Sequence, residues 1–320
     1  MSQAPTLSPA EERVVDAARD RKARVVHLTH NDLDAVGADA IHRRRYGDVF
    51  TVFSSVGKFP VFLERLAALP GRGDLLSITD LGYQDTVVPG LEAARQNGWR
   101  IEWRDHHRWN EKECMIIRER VDVLRIDTTR CGCGIAAVDL LPEDAVAREI
   151  AGVVCDYDLW LHRDPRSAVL GQVLQRPRNR NHVRDLLVKG RFSDDQVEAE
   201  FADIRKEMAG AIDHSIAHVQ LAGARYRIAF APLYGYPSET AAAIRERLGT
   251  EIEVIVNPSG RFSIRSVPPI SHLVARRFGG GGHPNAAGGT FAFSFIERLG
   301  FGLLKRSRRY RDLIAAAEAL

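Results

Sequence analysis

Short apolar runs alternate with helical patterns through the first third of the chain, and this alternation constrains the fold more than any other feature. The apolar runs lie at residues 25–29, 49–54, 75–79 and 100–104, and the helical patterns between them lie at 35–46, 60–69 and 87–97. Strands that alternate with helices form a mostly parallel sheet with helices on both faces. The sequence therefore predicts an α/β fold that begins with a doubly wound parallel sheet.

Acidic and histidine residues follow three of these four apolar runs. They are His30, Asp32 and Asp34 after the first run, Asp80 after the third, and Asp105, His106 and His107 after the fourth. The carboxyl ends of parallel strands meet at one edge of a sheet, where ligands bind in open α/β folds. Each residue alone could cap a helix or form a turn. Their recurrence favours a shared site, and carboxylates brought together in this way favour a divalent cation.

A fourth acidic position follows the apolar stretch at residues 150–154. Asp156 comes first after this stretch, and Asp158 is a competing candidate. Spacing alone does not choose between the two.

The second half of the chain has a different organisation. Residues 193–219 have the pattern of one long helix, with Ser193 as its N-cap. Further strands are predicted at 226–230, 252–256 and 262–266, and helices at 238–248 and 270–278. We therefore expect a first domain at 1–185, a helical linker at 186–221 and a smaller α/β domain at 222–320.

A glycine-rich segment lies near the end of the second domain. Residues 279–289 contain six glycines, with His283-Pro284-Asn285-Ala286-Ala287 between them. We expect no regular element here, because glycine loses much backbone freedom on folding. Such a loop can bring main-chain N–H groups close to an anion. A flexible linker is the alternative, although linkers seldom carry a His-Pro-Asn segment.

Composition limits the class of protein. The chain has 320 residues, 45% of them hydrophobic and 27% charged, and no run approaches the roughly 18 apolar residues of a membrane helix. The N-terminal residues do not resemble a signal peptide, so we expect a cytoplasmic protein with no membrane partner. Four cysteines without regular spacing fit a reducing compartment, and free thiols at Cys131 and Cys133 are expected rather than a zinc site. The net charge of +3 is compatible with a polyanionic substrate.

Taken together, these motifs resemble the DHH family of phosphoesterases, named for the triplet that stands here as Asp105-His106-His107. The family's four N-terminal motifs occur in order as His30-x-Asp32-x-Asp34, Asp80, Asp105-His106-His107 and Asp156. The segment Gly280-Gly281-Gly282-His283 is similar to the signature of the family's associated C-terminal substrate-binding domain. The resemblance spans residues 30–289.

The resemblance implies two Mn²⁺ ions, with Mg²⁺ as a substitute, that activate a water molecule against a phosphorus centre. One ion would take His30, Asp32 and Asp80, and the other would take Asp34, Asp80, His106 and Asp156. Asp105 would orient an imidazole, and His107 would contact the substrate phosphate. In the second domain, the substrate pocket would be formed by Ser263, Arg265, Gly280, Gly281, Gly282 and His283.

The function implied is a manganese-dependent phosphodiesterase that acts on short oligonucleotides or small nucleotides, similar to the branch that degrades nanoRNA or processes pAp. A homodimer is compatible with this reading. Two alternatives remain: a RecJ-like single-strand exonuclease, and a nucleotide-binding regulator with a degenerate metal site.

Overall fold

The computed structural model describes residues 6–320, which form two compact units, one extending to Phe201 and the other from Ala202 to Leu320. The first unit contains a five-stranded sheet in the order β2-β1-β3-β4-β5, with all neighbouring strands parallel. Its strands are β1 (Val25–Thr29), β2 (Phe50–Phe53), β3 (Leu75–Thr79), β4 (Arg100–Asp105) and β5 (Val123–Ile126). The predicted doubly wound α/β sheet is confirmed.

Helices cover both faces of this sheet. They are α1 (Pro9–Arg19), α2 (Leu33–Tyr46), α3 (Phe59–Ala67), α4 (Val88–Gln96), α5 (Glu111–Arg118), α6 (Gly132–Leu140), α7 (Ala145–Asp158), α8 (Pro165–Val173) and α9 (Arg180–Val188). One apolar core lies where α1, α3 and α4 meet the sheet, and a second one joins α2, α6, α7, α8 and α9. Burial of both cores holds the strand ends in fixed positions.

The face of the sheet towards α2 and α6 is polar although it is buried. A hydrogen bond of 2.8 Å joins Nε2 of His27 to the hydroxyl group of Thr79. The ring of His27 also stacks on that of His42, with 4.1 Å between the ring centroids. His42 in turn bonds Ser77 at 2.8 Å. These bonds satisfy groups that would be costly to bury unpaired.

The second unit contains a six-stranded mixed sheet in the order β10-β11-β9-β8-β7-β6. Its strands are β6 (Gln220–Ala222), β7 (Ile228–Pro232), β8 (Ile252–Val256), β9 (Arg261–Ser266), β10 (Gly281–Gly282) and β11 (Ala286–Thr290). The helices that follow α9 are α10 (Asp195–Ile216), α11 (Pro237–Leu248), α12 (Ser271–Arg276), α13 (Phe295–Leu304) and α14 (Tyr310–Glu318). The predicted second α/β layout is confirmed, and the long helix predicted at 193–219 corresponds to α10.

The glycine-rich segment differs from the expectation, because part of it is regular. Gly281 and Gly282 pair with Gly288 and Ala287 as an antiparallel ribbon, which continues into the sheet through β9. A Cβ atom at Gly280 would lie 1.8 Å from the carbonyl oxygen of Gly288. The glycines are therefore needed here for close packing of two backbones as well as for conformational freedom.

The cysteine expectation is wrong for Cys131, which forms a disulfide with Cys155. Cys131 is the N-cap of α6, and Cys155 lies in the last turn of α7. Packing of these two helices brings together residues that are 24 positions apart, which spacing could not reveal. Cys133 is a buried free thiol, as expected.

Among the described residues, no helix combines the length and the apolar character needed to cross a membrane.

Candidate metal centre

The predicted site lies where β1, β3 and β4 end. His30 and Asp80 directly follow β1 and β3, whereas Asp105 is the last residue of β4 and His106 follows it. Asp80 has a left-handed backbone, with φ of 52°, which is uncommon for a residue with a side chain. The parallel arrangement of the strands therefore brings together residues that are 76 positions apart in the sequence, from His30 to His106.

The first group contains His30, Asp32 and Asp80, whose ligand atoms all lie within 4.8 Å of one another. His30 Nδ1 lies 2.7 Å from Asp32 Oδ2 and 3.6 Å from Asp80 Oδ2. Asp32 is also the N-cap of α2, because it accepts a hydrogen bond from the N–H of Ala35. The start of α2 therefore fixes one carboxylate against the end of β1.

The second group contains Asp34, Asp80 and His106, all of them buried. Both carboxylate oxygens of Asp34 accept hydrogen bonds of 2.6 Å, from the N–H groups of Gly132 and Cys133. These donors are at the N-terminus of α6, where unpaired N–H groups and the helix dipole favour an anion. Sequence reasoning missed this support, although the glycine between two cysteines was a signal of close backbone approach.

His106 connects two carboxylates. Its Nε2 lies 3.1 Å from Asp80 Oδ1, and its Nδ1 lies 3.6 Å from Asp158 Oδ2. The buried oxygens Asp80 Oδ2 and Asp158 Oδ2 have no hydrogen-bond partner among residues 6–320. Asp158 therefore faces the same group of residues as Asp80.

Asp156, the residue that the sequence favoured over Asp158, has a different environment. Its oxygens accept hydrogen bonds from the N–H groups of Arg163 and Asp164 and from the hydroxyl of Ser167. Both acids belong to α7, and residues two apart on a helix point to nearly opposite sides. The family resemblance implied Asp156, and distance from an apolar run does not separate the two acids because it leaves the helix period out of account.

Asp105 holds His107 and Trp109. Its Oδ1 lies 2.8 Å from His107 Nδ1, and its Oδ2 accepts a hydrogen bond of 2.7 Å from Trp109 Nε1. Burial of His107 opposes protonation, but the hydrogen bond and the charge of Asp105 outweigh burial and raise the pKa of His107. Asp105, Asp80 and His107 also form a third group of close donor atoms.

Burial and mutual repulsion together raise the pKa values of three carboxyl groups at the site. Burial, followed by the charge of Asp32, raises the pKa of Asp34 to about 7, even though two N–H groups act in the opposite direction. The pKa of Asp80 is raised well above its ordinary value by burial and then by Asp32 and Asp34. Burial and Asp34 raise the pKa of Asp158 in the same way. Asp34 and Asp80, which are buried, and the half-buried Asp158 therefore lack a compensating positive charge, and a bound cation would stabilise this environment.

In the second unit, Ser263 and Arg265 lie on β9, opposite Gly288 and Ala286 of β11. Arg265 donates hydrogen bonds of 2.8 Å to the hydroxyl groups of Ser263 and Ser238. The sheet therefore brings Ser263 and Arg265 beside the glycine ribbon.

The N–H groups of the glycine segment are only partly free. Those of Gly279, Gly280 and His283 donate within the second unit, to the carbonyl groups of Arg276, Ala275 and Ala286 respectively. The expected cradle of N–H donors is therefore limited to the remaining positions of the segment. His283 itself is exposed.

A scan against protein-family models finds no match for the chain, and neither does a search of curated proteins. Among solved structures, RecJ from Thermus thermophilus in complex with Mn²⁺ aligns over 98% of this chain and 56% of its own, with a TM-score of 0.56 and 17% identity. The pGpG-specific phosphodiesterase PggH from Vibrio cholerae aligns over 88% of this chain and 98% of its own, with a TM-score of 0.51 and 12% identity. This chain thus spans little more than half of the RecJ chain. It shares the fold of these two proteins, which agrees with the fold expected from the resemblance of its motifs to the DHH-family phosphoesterases.

Proposed function

We propose that this protein is a manganese-dependent phosphodiesterase that hydrolyses short oligonucleotides or small nucleotides with two bound metal ions. One observation carries the proposal: Asp80 belongs to each of three groups of donor atoms at the edge of the first sheet. A carboxylate shared in this way can bridge two cations. The names of two similar solved structures, a pGpG-specific phosphodiesterase and RecJ in complex with Mn²⁺, support the same class of substrate and the same metal.

The residues present fit a pair of hard divalent cations. His30, Asp32 and Asp80 would hold one ion, and Asp34, Asp80 and His106 would hold the other. We assign Asp158 rather than Asp156 to the second ion, because its free buried oxygen faces His106. Carboxylates and imidazoles without a thiolate suit Mn²⁺, or Mg²⁺ as a substitute. Bound ions would supply Lewis-acid polarisation of the phosphoryl group and a water molecule of lowered pKa.

The protein's own groups position the substrate and neutralise its charge. Asp105 fixes the ring orientation of His107 and favours its protonated form, so Nε2 of His107 can donate a hydrogen bond to a phosphate oxygen. The N-terminus of α6 holds Asp34 in place before the substrate arrives, so this ligand needs no reorganisation during the reaction.

We assign substrate selection to the second unit. A metal centre that binds only phosphate cannot distinguish a dinucleotide from a long strand. Arg265 offers a planar group that matches phosphate oxygens, and Ser263 offers a hydroxyl beside it. A pocket of this kind would hold a terminal nucleotide or phosphate.

The test is a substrate panel with purified protein: a dinucleotide, a pentanucleotide, a long single strand, a cyclic dinucleotide and pAp, each with Mn²⁺, Mg²⁺ or chelator. We expect Mn²⁺-dependent hydrolysis of the short linear substrates, and loss of activity by several orders of magnitude in Asp80→Ala. Preference for the long strand would favour a RecJ-like exonuclease. Nucleotide binding without hydrolysis would favour the regulator with a degenerate site.

A further inference from the structure

The helix α13 leaves one entire face apolar and exposed. The exposed fractions of its large apolar residues are 76% for Phe295, 79% for Ile296, 56% for Leu299, 84% for Leu303 and 70% for Leu304. Phe295, Leu299 and Leu303 are four residues apart, so they line one side of the helix. Contiguous apolar patches of this kind on a protein surface mark interaction sites.

The opposite side of α13 packs into the core of the second unit, which leaves the apolar face exposed to solvent. Phe301 is buried in the core of the second unit, and its ring packs at a tilt against that of Phe293, with 5.7 Å between the ring centroids. Burial of Phe301 fixes the rotation of α13. The exposed face is therefore a constant feature of the folded unit.

A strongly basic segment follows directly. Five of the seven residues at 305–311 are lysine or arginine. Arg309 pairs with Glu297 at 3.0 Å, whereas Arg306, Arg308 and Arg311 have no ion pair among residues 6–320. These three arginines line a cavity of about 420 Å³, together with Ser307, the exposed Leu304 and Glu297, whose carboxylate is paired with Arg309. A pocket for an anionic group thus adjoins the apolar face.

The binding partner must match both the apolar face of α13 and the arginine-lined cavity beside it. A second copy of this chain would cover the apolar face, but the acidic residue of the patch, Glu297, is already paired with Arg309. A nucleic acid would neutralise the arginines but would leave the aliphatic side chains exposed to water. An anionic phospholipid surface supplies phosphate groups at the depth of the arginines and hydrocarbon below them.

We propose that α13 and the basic segment at 305–311 bind the surface of an anionic membrane, with a lipid phosphate in the cavity lined by Arg306, Arg308 and Arg311. This is contact with one leaflet and needs no spanning segment. The helix has 10 residues, about 15 Å of length, which is half of the hydrocarbon thickness. The expectation of no membrane partner rested on the absence of apolar runs long enough to cross a bilayer and of a signal peptide, and neither feature is needed for binding to one leaflet.

The test is co-sedimentation of the full chain with vesicles of phosphatidylcholine alone and of an equal mixture of phosphatidylcholine and phosphatidylglycerol. We expect binding to the mixed vesicles that is at least about 10-fold stronger than to phosphatidylcholine and that weakens with added salt. Leu303→Glu should abolish binding, and Arg308→Glu should weaken it about 10-fold. Both residues are exposed, so the variants should fold, which circular dichroism can verify.

Matched controls come from exposed residues of the same unit outside the patch. Val267→Glu and Lys206→Glu introduce the same side chain and should bind vesicles as the wild type does. Hydrolysis of a dinucleotide in solution should be unchanged in all four variants, which separates this proposal from the proposed function. Absence of binding to the mixed vesicles would overturn the proposal. The proposal would also be overturned if the wild type did not bind vesicles but formed a dimer, or bound a long RNA strand, and Leu303→Glu lost that interaction.

Discussion

Asp80 shows how much one residue contributes to the candidate site. Its backbone is left-handed, its carboxylate is buried, and its oxygens lie 3.1 Å from His106 and 3.6 Å from His30. A strained backbone and a buried, unneutralised charge both cost free energy of folding. Strain and uncompensated charge of this kind concentrate at functional sites, and an ion that bound these oxygens would remove the electrostatic part of the cost.

Asp158 and Asp156 should differ in their contribution to metal binding. Asp158→Asn should lower Mn²⁺ affinity and reduce the turnover number on the order of 100-fold or more, because it removes a ligand that faces His106. Titration of Mn²⁺ by calorimetry, combined with initial rates, measures both effects.

Asp156→Asn is the matched control, with the same chemical change two residues away. It should leave Mn²⁺ affinity near the wild-type value but destabilise the fold by about 1–3 kcal/mol, because N–H donors that now meet a carboxylate would face an amide group. Greater loss of metal affinity in Asp156→Asn than in Asp158→Asn would support Asp156, the ligand that the family resemblance implies.

At the scale of elements, the N-terminus of α6 is the support that the sequence did not reveal. Spacing predicted which strand ends carry acids, because that depends only on the alternation of strands and helices. It could not predict that α6 points its N–H groups at Asp34, or that α7 turns Asp158 inward, because both depend on helix packing. It also did not predict that the buried face of the sheet towards α2 would be polar, with His27 and Ser77 on it.

Substitution of Gly132 tests whether the N-terminus of α6 holds Asp34 in position. A Cβ atom there would lie 2.8 Å from Asp34 Oδ2 and 3.1 Å from Asp80 Cβ, so Gly132→Ala must displace a carboxylate. We expect Mn²⁺ affinity and turnover to fall about 10–100-fold, the range seen when groups that orient metal ligands are lost. Gly152→Ala in α7 is the control, because nothing lies within 4 Å of its added Cβ atom. Equal metal affinity in Gly132→Ala and the wild type would show that α6 does not position Asp34.

At the scale of the whole molecule, we propose that the first unit carries out hydrolysis and the second unit selects the substrate. Arg265→Ala should raise the Michaelis constant for a dinucleotide about 10-fold, because it removes a charge-assisted hydrogen bond to phosphate. Mn²⁺ affinity should be unchanged, since the donor groups assigned to the ions lie in the first unit. Arg261→Ala, on the same strand and the same side of it, is the control. A length ladder of single strands measures the effect, and identical kinetics of the two variants on every length would remove Arg265 from substrate selection.

The stability of the metal-free protein should depend on pH through the carboxyl groups of the candidate site. The pKa of Asp34 is raised to about 7, and those of Asp80 and Asp158 are also raised, whereas an unfolded aspartate titrates near about 4. Between these values the folded state holds more protons than the unfolded state, so its stability falls as the pH rises.

We therefore expect the melting temperature of chelator-treated protein to fall between pH 5 and pH 8, by an amount that corresponds to a few kcal/mol in the free energy of unfolding. Added Mn²⁺ should raise the melting temperature more at pH 8 than at pH 5, because only the ionised carboxylates bind it. Asp80→Asn should flatten both dependences, since it removes one raised carboxyl group and relieves repulsion on Asp34 and Asp158. Differential scanning calorimetry across this range measures all three effects. A melting temperature of the chelated wild type that rises with pH would mean that these carboxyl groups are not the uncompensated charges inferred here.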